Sequence, residues 1–543
     1  MIPREWTKAL AAVATLSFLL GLSPPVLAAP AGLPKNPLFA LKCGICHRPQ
    51  KDGRVRRLES MRKSPEGWER SIQRMERLQR VKLQPGEREA LVKLLCQSLT
   101  LAPAESRKVF YALAGKDPRE EIPPGKEKLK EACTRCHSYA TIAAQRRTRE
   151  EWLKLKSLHL SLYPALVYQL REIDWPMVAD EILKSLAKTF PFETPEWKAW
   201  KKRPAQSSAG RLAGSWRVIG SQPGRGSYVG SLELKPSGDG DYEVKRTVLY
   251  EGGQEESWTG KGTLYGGYAL RAYFSTSEGR TKGTFSFFPG GKTMEGSWLC
   301  MDKLYLAGDE IGHRWGTGEA KVLSLSPGAL KQGSSHVHLA LQGIHLPTSP
   351  RPADLHLGPG IAISKILKAS PGQLVVEVEV QGNAPIGERH VTVGKASGKG
   401  ILVVYDRVDY LQVVPEFGLA RVGGQANPAK AEQFEAIAYN RGPDGTPHTR
   451  DDLRLGPVKA HWSVEEYFYS PEDRDVEYVG KIDQNGLFLP SAEGPNPQRP
   501  FKTNNVGNVW VVATYRPDGT DQELKAKAFL LVTVQLFLQE TMN

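Results

Sequence analysis

One five-residue pattern, present twice, constrains this chain more than anything else in it. "CGICH" at residues 43–47 returns as "CTRCH" at 133–137, and the two copies use four of the six cysteines. A segment of this kind must fold so that two thiols and the next imidazole all reach one rigid object. C-x-x-C-H is the attachment pattern of c-type haem. The thiols form thioethers with the two vinyl groups on one porphyrin edge, and the adjacent histidine approaches the iron as proximal ligand. A thioredoxin-like redox pair and half a zinc site share the cysteine spacing. The first belongs in a βαβ setting, whereas these motifs lie in helical sequence. The second leaves both trailing histidines without a role. The reading is therefore two covalently bound haem c groups, one on Cys43 and Cys46 with His47 on its iron, the other on Cys133 and Cys136 with His137.

The sixth ligands come from an internal repeat. "EGWERSIQRM" (66–75) aligns without gaps on "EEWLKLKSLH" (150–159). Trp68 leads by seven residues to Met75, and Trp152 by seven to His159. Seven residues are two helical turns, so each tryptophan shares a helix face with its ligand candidate and is expected to pack on a porphyrin. "PGEREALVKLL" from Pro85 and "PMVADEILKSL" from Pro176 extend the match, with Leu91 and Ile182 six residues on. The assignment is His47 and Met75 for the first iron, His137 and His159 for the second. Met61 and Met177 break the register and read as core residues. Methionine–histidine ligation raises a haem potential. Electrons are therefore expected to enter at the His137/His159 haem and leave from the His47/Met75 haem. With both axial positions filled, the module reads as a wire and not as an oxygen or peroxide site.

The N-terminus, "MIPREWTKALAAVATLSFLLGLSPPVLAAP", has Arg4 and Lys8, an apolar run from Ala9 to Leu22, and small residues Ala28 and Ala29. It reads as a signal peptide over 1–29, and hence as export to the periplasm, where haem c is attached. The net charge of +14 has no unbroken Lys/Arg tract behind it. The basic stretch 54–82 is interleaved with acids, which reads as a solvated helical surface ahead of a face for an acidic electron-transfer partner, and it carries no nucleic-acid motif. No later run of about 18 apolar residues argues for a membrane span.

Texture divides the rest. Residues 30–203 are rich in Leu, Lys, Arg and Glu with helical period, and Leu91, Leu94, Leu95 and Leu99 fall on one face. A polar linker (201–210) follows. Beyond it, short alternating strands separated by Gly and Pro predict an antiparallel β-barrel over 207–318, with hairpins at 230–250 and 283–298. Immunoglobulin-like β-sandwiches are expected over 319–408 and 409–543. The fold class is thus multidomain, a helical dihaem cytochrome c domain followed by three all-β domains.

Weaker signals remain. Cys96 and Cys300 read as buried free thiols. His336 and His338, with His345, His356 and His390, read as half-buried strand residues ahead of a metal cluster. "GPDGTPHTRDD" (442–452) reads as a turn ahead of a calcium loop, since EF-hand spacing is missing. Trp216, Trp258 and Trp298 read as core residues ahead of sugar platforms. No nucleophile elbow, P-loop or Rossmann glycine pattern is present.

The two C-x-x-C-H units, the Trp-to-ligand decads and β modules containing "GKIDQNGLFLP" together resemble the alpha subunit of quinohaemoprotein amine dehydrogenases over almost the whole mature chain. The resemblance implies the haem ligands already named, and one subunit of a heterotrimer. A β-propeller subunit and a small subunit bearing cysteine tryptophylquinone would complete it. The quinone would oxidise a primary amine to aldehyde and ammonia, its electrons passing through the two haems to a periplasmic cytochrome c or blue-copper protein. The catalytic quinone would lie on another chain, so no catalytic residue is expected here. The alternatives are a free-standing secreted dihaem carrier with carbohydrate- or protein-binding β modules, and a dihaem peroxidase, which needs a ligand able to leave its iron.

Overall fold

The computed structural model describes residues 33, 35–115, 126–134, 137–169, 172–202, 212–288, 290–423, 428–469 and 474–534. The signal-peptide segment, Cys136 and nearly all of the linker lie outside the described residues.

The first region is helical and built twice over. α1 (Pro37–Lys42), a short strand β1 (Met61–Lys63), α2 (Pro65–Gln79) and α3 (Glu87–Leu99) form the first repeat. α4 (Pro103–Arg107) and α5 (Phe110–Leu113) connect it to the second. There α6 (Glu127–Cys133), α7 (Tyr139–Ala143), β2 (Gln145–Arg147), α8 (Arg149–Leu162), α9 (Leu166–Gln169) and α10 (Trp175–Thr189) follow, and α11 (Pro195–Lys201) closes the region. α2 and α8 start alike. The side chains of Ser64 and Thr148 accept from the N–H three residues on, Gly67 at 3.1 Å and Glu151 at 3.3 Å, satisfying donors that a helix start leaves open. The expected apolar face of α3 is buried at Leu91, Leu94, Leu95 and Leu99.

β1 and β2 pair antiparallel, with Arg62 opposite Arg146. This ribbon joins the two repeats about a local dyad, and three residues are too few for any periodicity to announce it. Met61 is core, 7% exposed. Met177 is not. It sits in the first turn of α10, 61% exposed, where its N–H is capped by Asp174, so the core reading is corrected. Only positions 179, 182, 183 and 186 of that helix turn inward, along with Trp175.

Strands β3 (Gly214–Gln222), β4 (Gly226–Pro236), β5 (Asp241–Tyr250), β6 (Glu255–Tyr265), β7 (Ala269–Thr276), β8 (Gly279–Phe287), β9 (Thr293–Cys300) and β10 (Ala307–Arg314) close an antiparallel barrel. Closure removes every sheet edge. Trp216, Trp258 and Trp298 fill its interior, as the core reading expects. With them lies a fully buried ion pair, Arg246 to Glu310 at 2.9 Å. Its guanidinium packs 4.4 Å from the Trp258 ring.

Residues 321–405 form one continuous sheet around a single core, in which Leu355 from one end strand and Ile363 from the other pack with Val322, Leu339, Val391 and Leu402. Residues 410–533 form three sheets around Phe434, Phe488 and Val511. Among the described strands three pairings are parallel, two onto Ala396–Tyr405 and one between Phe417–Arg421 and Leu524–Thr533. A leading strand that lies beside a closing strand of the same hand covers an otherwise open edge.

The helical region is docked on the barrel. Tyr265, Tyr268 and Ala269 belong to the same buried cluster as Trp68 and Cys96. The Tyr268 hydroxyl donates to the Leu101 carbonyl at 3.0 Å. Arg271 of the barrel grips Glu66 of α2 at 2.5 Å, with both side chains under a tenth exposed. Burial alone would raise the Glu66 carboxyl, but Arg271 and Lys282 overcome that and hold it at about 2. Cys96 and Cys300 are buried and unbonded to each other.

Candidate functional site

Each motif grows out of a short helix. Asn36 caps α1 by accepting from the Phe39 N–H at 3.0 Å, and Pro37 takes the first helical position. The chain then leaves the helix by a tight turn. Cys43 and Gly44 both donate to the Phe39 carbonyl, and His47 donates to the Cys43 carbonyl at 2.9 Å. Gly44 is required by the close approach, since a Cβ there would lie 2.6 Å from the Ala40 oxygen. In the second motif Cys133 ends α6 and the Thr134 N–H donates to the Lys130 carbonyl. Burial pushes the Cys43 and Cys133 thiols up to about 11, while Cys46 is exposed.

His137 and His159 come together. Their ring centres are 6.5 Å apart and the planes are tilted by 43°. Two imidazoles bound trans to one metal by bonds of about 2.0–2.1 Å would place their ring centres about 6.3 Å apart. The spacing leaves room for a metal ion between the two rings, so the two donors fit a haem iron. Second-sphere geometry agrees. His159 Nδ1 lies 2.7 Å from the Leu155 carbonyl and His137 Nδ1 lies 3.1 Å from the Ser138 carbonyl. A proton held at Nδ1 by a carbonyl makes Nε2 the lone-pair nitrogen, which is the arrangement a metal-ligating histidine needs.

Both histidines and Cys133 line one cavity, with Trp152 and Trp175 in its wall. Trp152 is 1% exposed, and its indole N–H donates to the Phe190 carbonyl at 2.9 Å. Trp68 does the same in the first repeat, to the Leu99 carbonyl at 2.9 Å. Trp175, absent from the sequence reading, lies 5.8 Å from His159 and donates to the Ala132 carbonyl beside Cys133. It occupies a position with no aromatic counterpart in the first repeat, so the alignment offers no signal for it.

The first-repeat candidates are less tightly assembled. His47 follows α1, its Nδ1 3.3 Å from the Arg56 carbonyl. Met75 lies half-buried on α2, two turns after Trp68. α1 and α2 share the cluster in which Phe39, Cys43, Trp68 and Ile72 pack.

Between the repeats lies a buried charge hub that the sequence reading missed. Glu105 of α4 takes Arg62 in a fork at 2.7 and 2.9 Å, Arg146 at 3.1 Å and the Thr194 hydroxyl at 2.8 Å. One carboxylate thus holds the paired arginines of the β1–β2 ribbon. Burial works to raise its pKa, but the two guanidiniums prevail and hold it below the ordinary glutamate range.

The weaker signals resolve simply. His336 and His338 are exposed and both face Glu377, at 3.4 and 3.7 Å, so the half-buried reading is corrected. Among the described residues no three His, Cys, Asp or Glu converge as a metal site. In residues 442–452 the Asp444, Asp451 and Asp452 carboxylates accept from backbone N–H groups of their own loop, as a turn demands.

Four family models match in series. The haem-binding part of the quinohemoprotein amine dehydrogenase A alpha subunit covers residues 35–197. Alpha-subunit domain II covers 209–314, domain III 319–406 and domain IV 411–542. No curated protein matches the chain. Solved structures that align with one fifth of it include two β-barrels. A de novo designed fluorescence-activating β-barrel shares 19% identity over 20% of this chain and 95% of its own, at a TM-score of 0.17. A redesigned β-barrel bound to DFHBI shares 14% over 20% and 96%, at 0.18. With models of a single subunit covering it from the first motif to the last strand, the chain belongs to the quinohaemoprotein amine dehydrogenase alpha-subunit family.

Proposed function

We propose that this chain is the dihaem electron-transfer subunit of a periplasmic amine dehydrogenase. The family is haem-binding and belongs to an oxidoreductase complex, which implies partner subunits. Beyond that, our reading is that Cys43, Cys46, Cys133 and Cys136 hold two haems by thioethers. His47 and Met75 ligate one iron, His137 and His159 the other. Bound haem supplies a one-electron couple at each site, set lower where two imidazoles ligate than where methionine replaces one. The observation that carries the reading is the 6.5 Å spacing of the His137 and His159 rings, with both Nδ1 atoms at carbonyls.

The protein's own groups then orient and insulate. Carbonyls fix the imidazole tautomers, Trp152 and Trp175 wall the second cavity, and the Glu105 hub fixes one repeat against the other. α2 carries Met75 and also lines the second cavity through Gly67, Ser71 and Arg74, so one helix serves both sites. The chain divides into a leader (1–29), the haem domain (30–203), a barrel (207–318) and two sandwiches (319–408, 409–543). The β domains serve as scaffold for a β-propeller subunit and a small subunit carrying cysteine tryptophylquinone. With haem bound, His137 and His159 would hold the site where electrons enter, and His47 and Met75 the site from which they would leave to a cytochrome c or blue-copper protein. Trp216, Trp258 and Trp298 are buried in the barrel, which removes them as sugar platforms and weakens the free-standing carrier alternative. Among the described residues no helix is long and apolar enough to cross a membrane.

Purification of the exported protein from its native host tests this. Co-elution with a small crosslinked quinone subunit, and a pyridine haemochrome reporting two thioether-linked haems per chain, is the expected result. A colourless or single-haem chain would sink it.

A further inference from the structure

The cavity shared by His137 and His159 has two chemically different sides. One is apolar, with Ile142, Leu155, Leu183 and Leu186 beside Trp175. The other carries Lys63, Arg70, Arg74 and Arg147, and among the described residues that line the cavity there is no aspartate or glutamate. Three of these four cations come from β1 and α2, in the first repeat, although the histidines belong to the second.

Two of the cations are deep. Lys63 is 8% exposed and Arg147 6%. Their hydrogen bonds run to neutral oxygens, Lys63 Nζ to Ser71 Oγ at 2.6 Å and Arg147 Nε to Gln145 Oε1 at 2.8 Å. The buried Glu151 carboxylate pairs with Arg57 at 3.5 Å and Lys154 at 3.1 Å and acts on Arg147 through its charge, while the hydrogen bond of Arg147 goes to Gln145. Burial and the surrounding arginines lower the Lys63 ammonium well below its ordinary range. Like charges brought together at buried positions are costly unless an anion joins them.

We propose that this cationic wall is the binding site for the two propionate carboxylates of the porphyrin attached at Cys133. The inference rests on the haem reading above. A haem is a flat apolar macrocycle with two carboxylates on one edge, and the cavity is apolar on one side and cationic on the other. Arg147 and Arg74 offer planar forks suited to carboxylate, and Lys63 a point charge. The first repeat thereby completes the second repeat's site. A cation beside the macrocycle also favours the reduced, less positive iron, which narrows the gap between the two haem potentials.

The test uses the full-length holoprotein with Lys63→Gln and Arg147→Gln made singly, so that other cations remain. Haem count, both midpoint potentials and the resonance Raman propionate-bending band are read. The expected result is two haems, a shifted propionate band, and a bis-histidine haem whose reduction equilibrium is weakened about tenfold per cation removed, or about 59 mV for one electron. The other haem should hold its potential, and Lys63→Arg should retain the wild-type values. An unmoved band in both variants overturns the proposal, even if the potential falls, because that fall would report charge acting at a distance. A variant that matures with one haem, regained in Lys63→Arg, supports it. Wild-type protein with fewer than two haems would overturn the underlying haem reading instead.

Discussion

His159 and Met75 occupy the same register of two repeated helices, and single substitutions separate their roles. His159→Ala removes an imidazole facing His137 across 6.5 Å. It is expected to turn the second haem high-spin and to block quinone-to-haem transfer; a low-spin spectrum identical to wild type would dismiss His159 as a ligand. Met75→Ala should abolish the weak iron–sulfur charge-transfer band at the red end of the visible spectrum. If the band persists, Met61 becomes the candidate, since it lies buried in the cluster of Trp68. These residues were legible in sequence because a motif and a seven-residue interval each report local geometry. Trp175 and Lys63 were not legible. Trp175 meets His159 only after α10 folds back, and Lys63 reaches the second cavity only because the repeats pair across a dyad.

Among the elements, the β1–β2 ribbon and α4 matter most for keeping the repeats in register. Glu105 answers two buried guanidiniums, and removing one partner of a buried pair costs about 3–5 kcal/mol because charge is left uncompensated. Glu105→Gln should therefore destabilise the helical region by that amount in denaturant unfolding. A loss below ~1 kcal/mol would show the arginines finding water instead. The helices themselves follow from sequence patterns, with caps at Asn36, Ser64 and Thr148 and an apolar face on α3. The ribbon does not, because three-residue strands carry no period and their partners lie 82 to 86 positions further along the chain.

In the whole molecule, one buried ion pair couples the helical region to the barrel. Glu66 moves from an ordinary 4.5 to about 2 on folding, worth roughly 3 kcal/mol. A depressed carboxyl contributes fully above its unfolded value and loses that contribution as pH falls through its folded one. Docking should accordingly weaken between pH 4.5 and 2, seen as a falling unfolding midpoint, and Glu66→Gln should flatten that dependence. A wild-type profile flat through this window would show the pair to be neutral in the balance. Its register-mate Glu150 illustrates the limit of repeat reasoning. The two glutamates open aligned decads, yet Glu150 is three-quarters exposed and pairs with Lys154 of its own helix.

What the sequence determined alone is whatever neighbouring residues settle among themselves: two C-x-x-C-H turns, helices with caps and apolar faces, alternating strands, and hence the class of fold and the kind of group bound. What only the tertiary structure decided is everything that depends on residues far apart in the chain. This includes the parallel closing strands, the Glu105 hub, the exposure of Met177, and a cavity whose histidines come from one repeat and whose cations come largely from the other. Burial and charge pairing act through space, and no local pattern records which distant side chain will arrive to answer a buried charge.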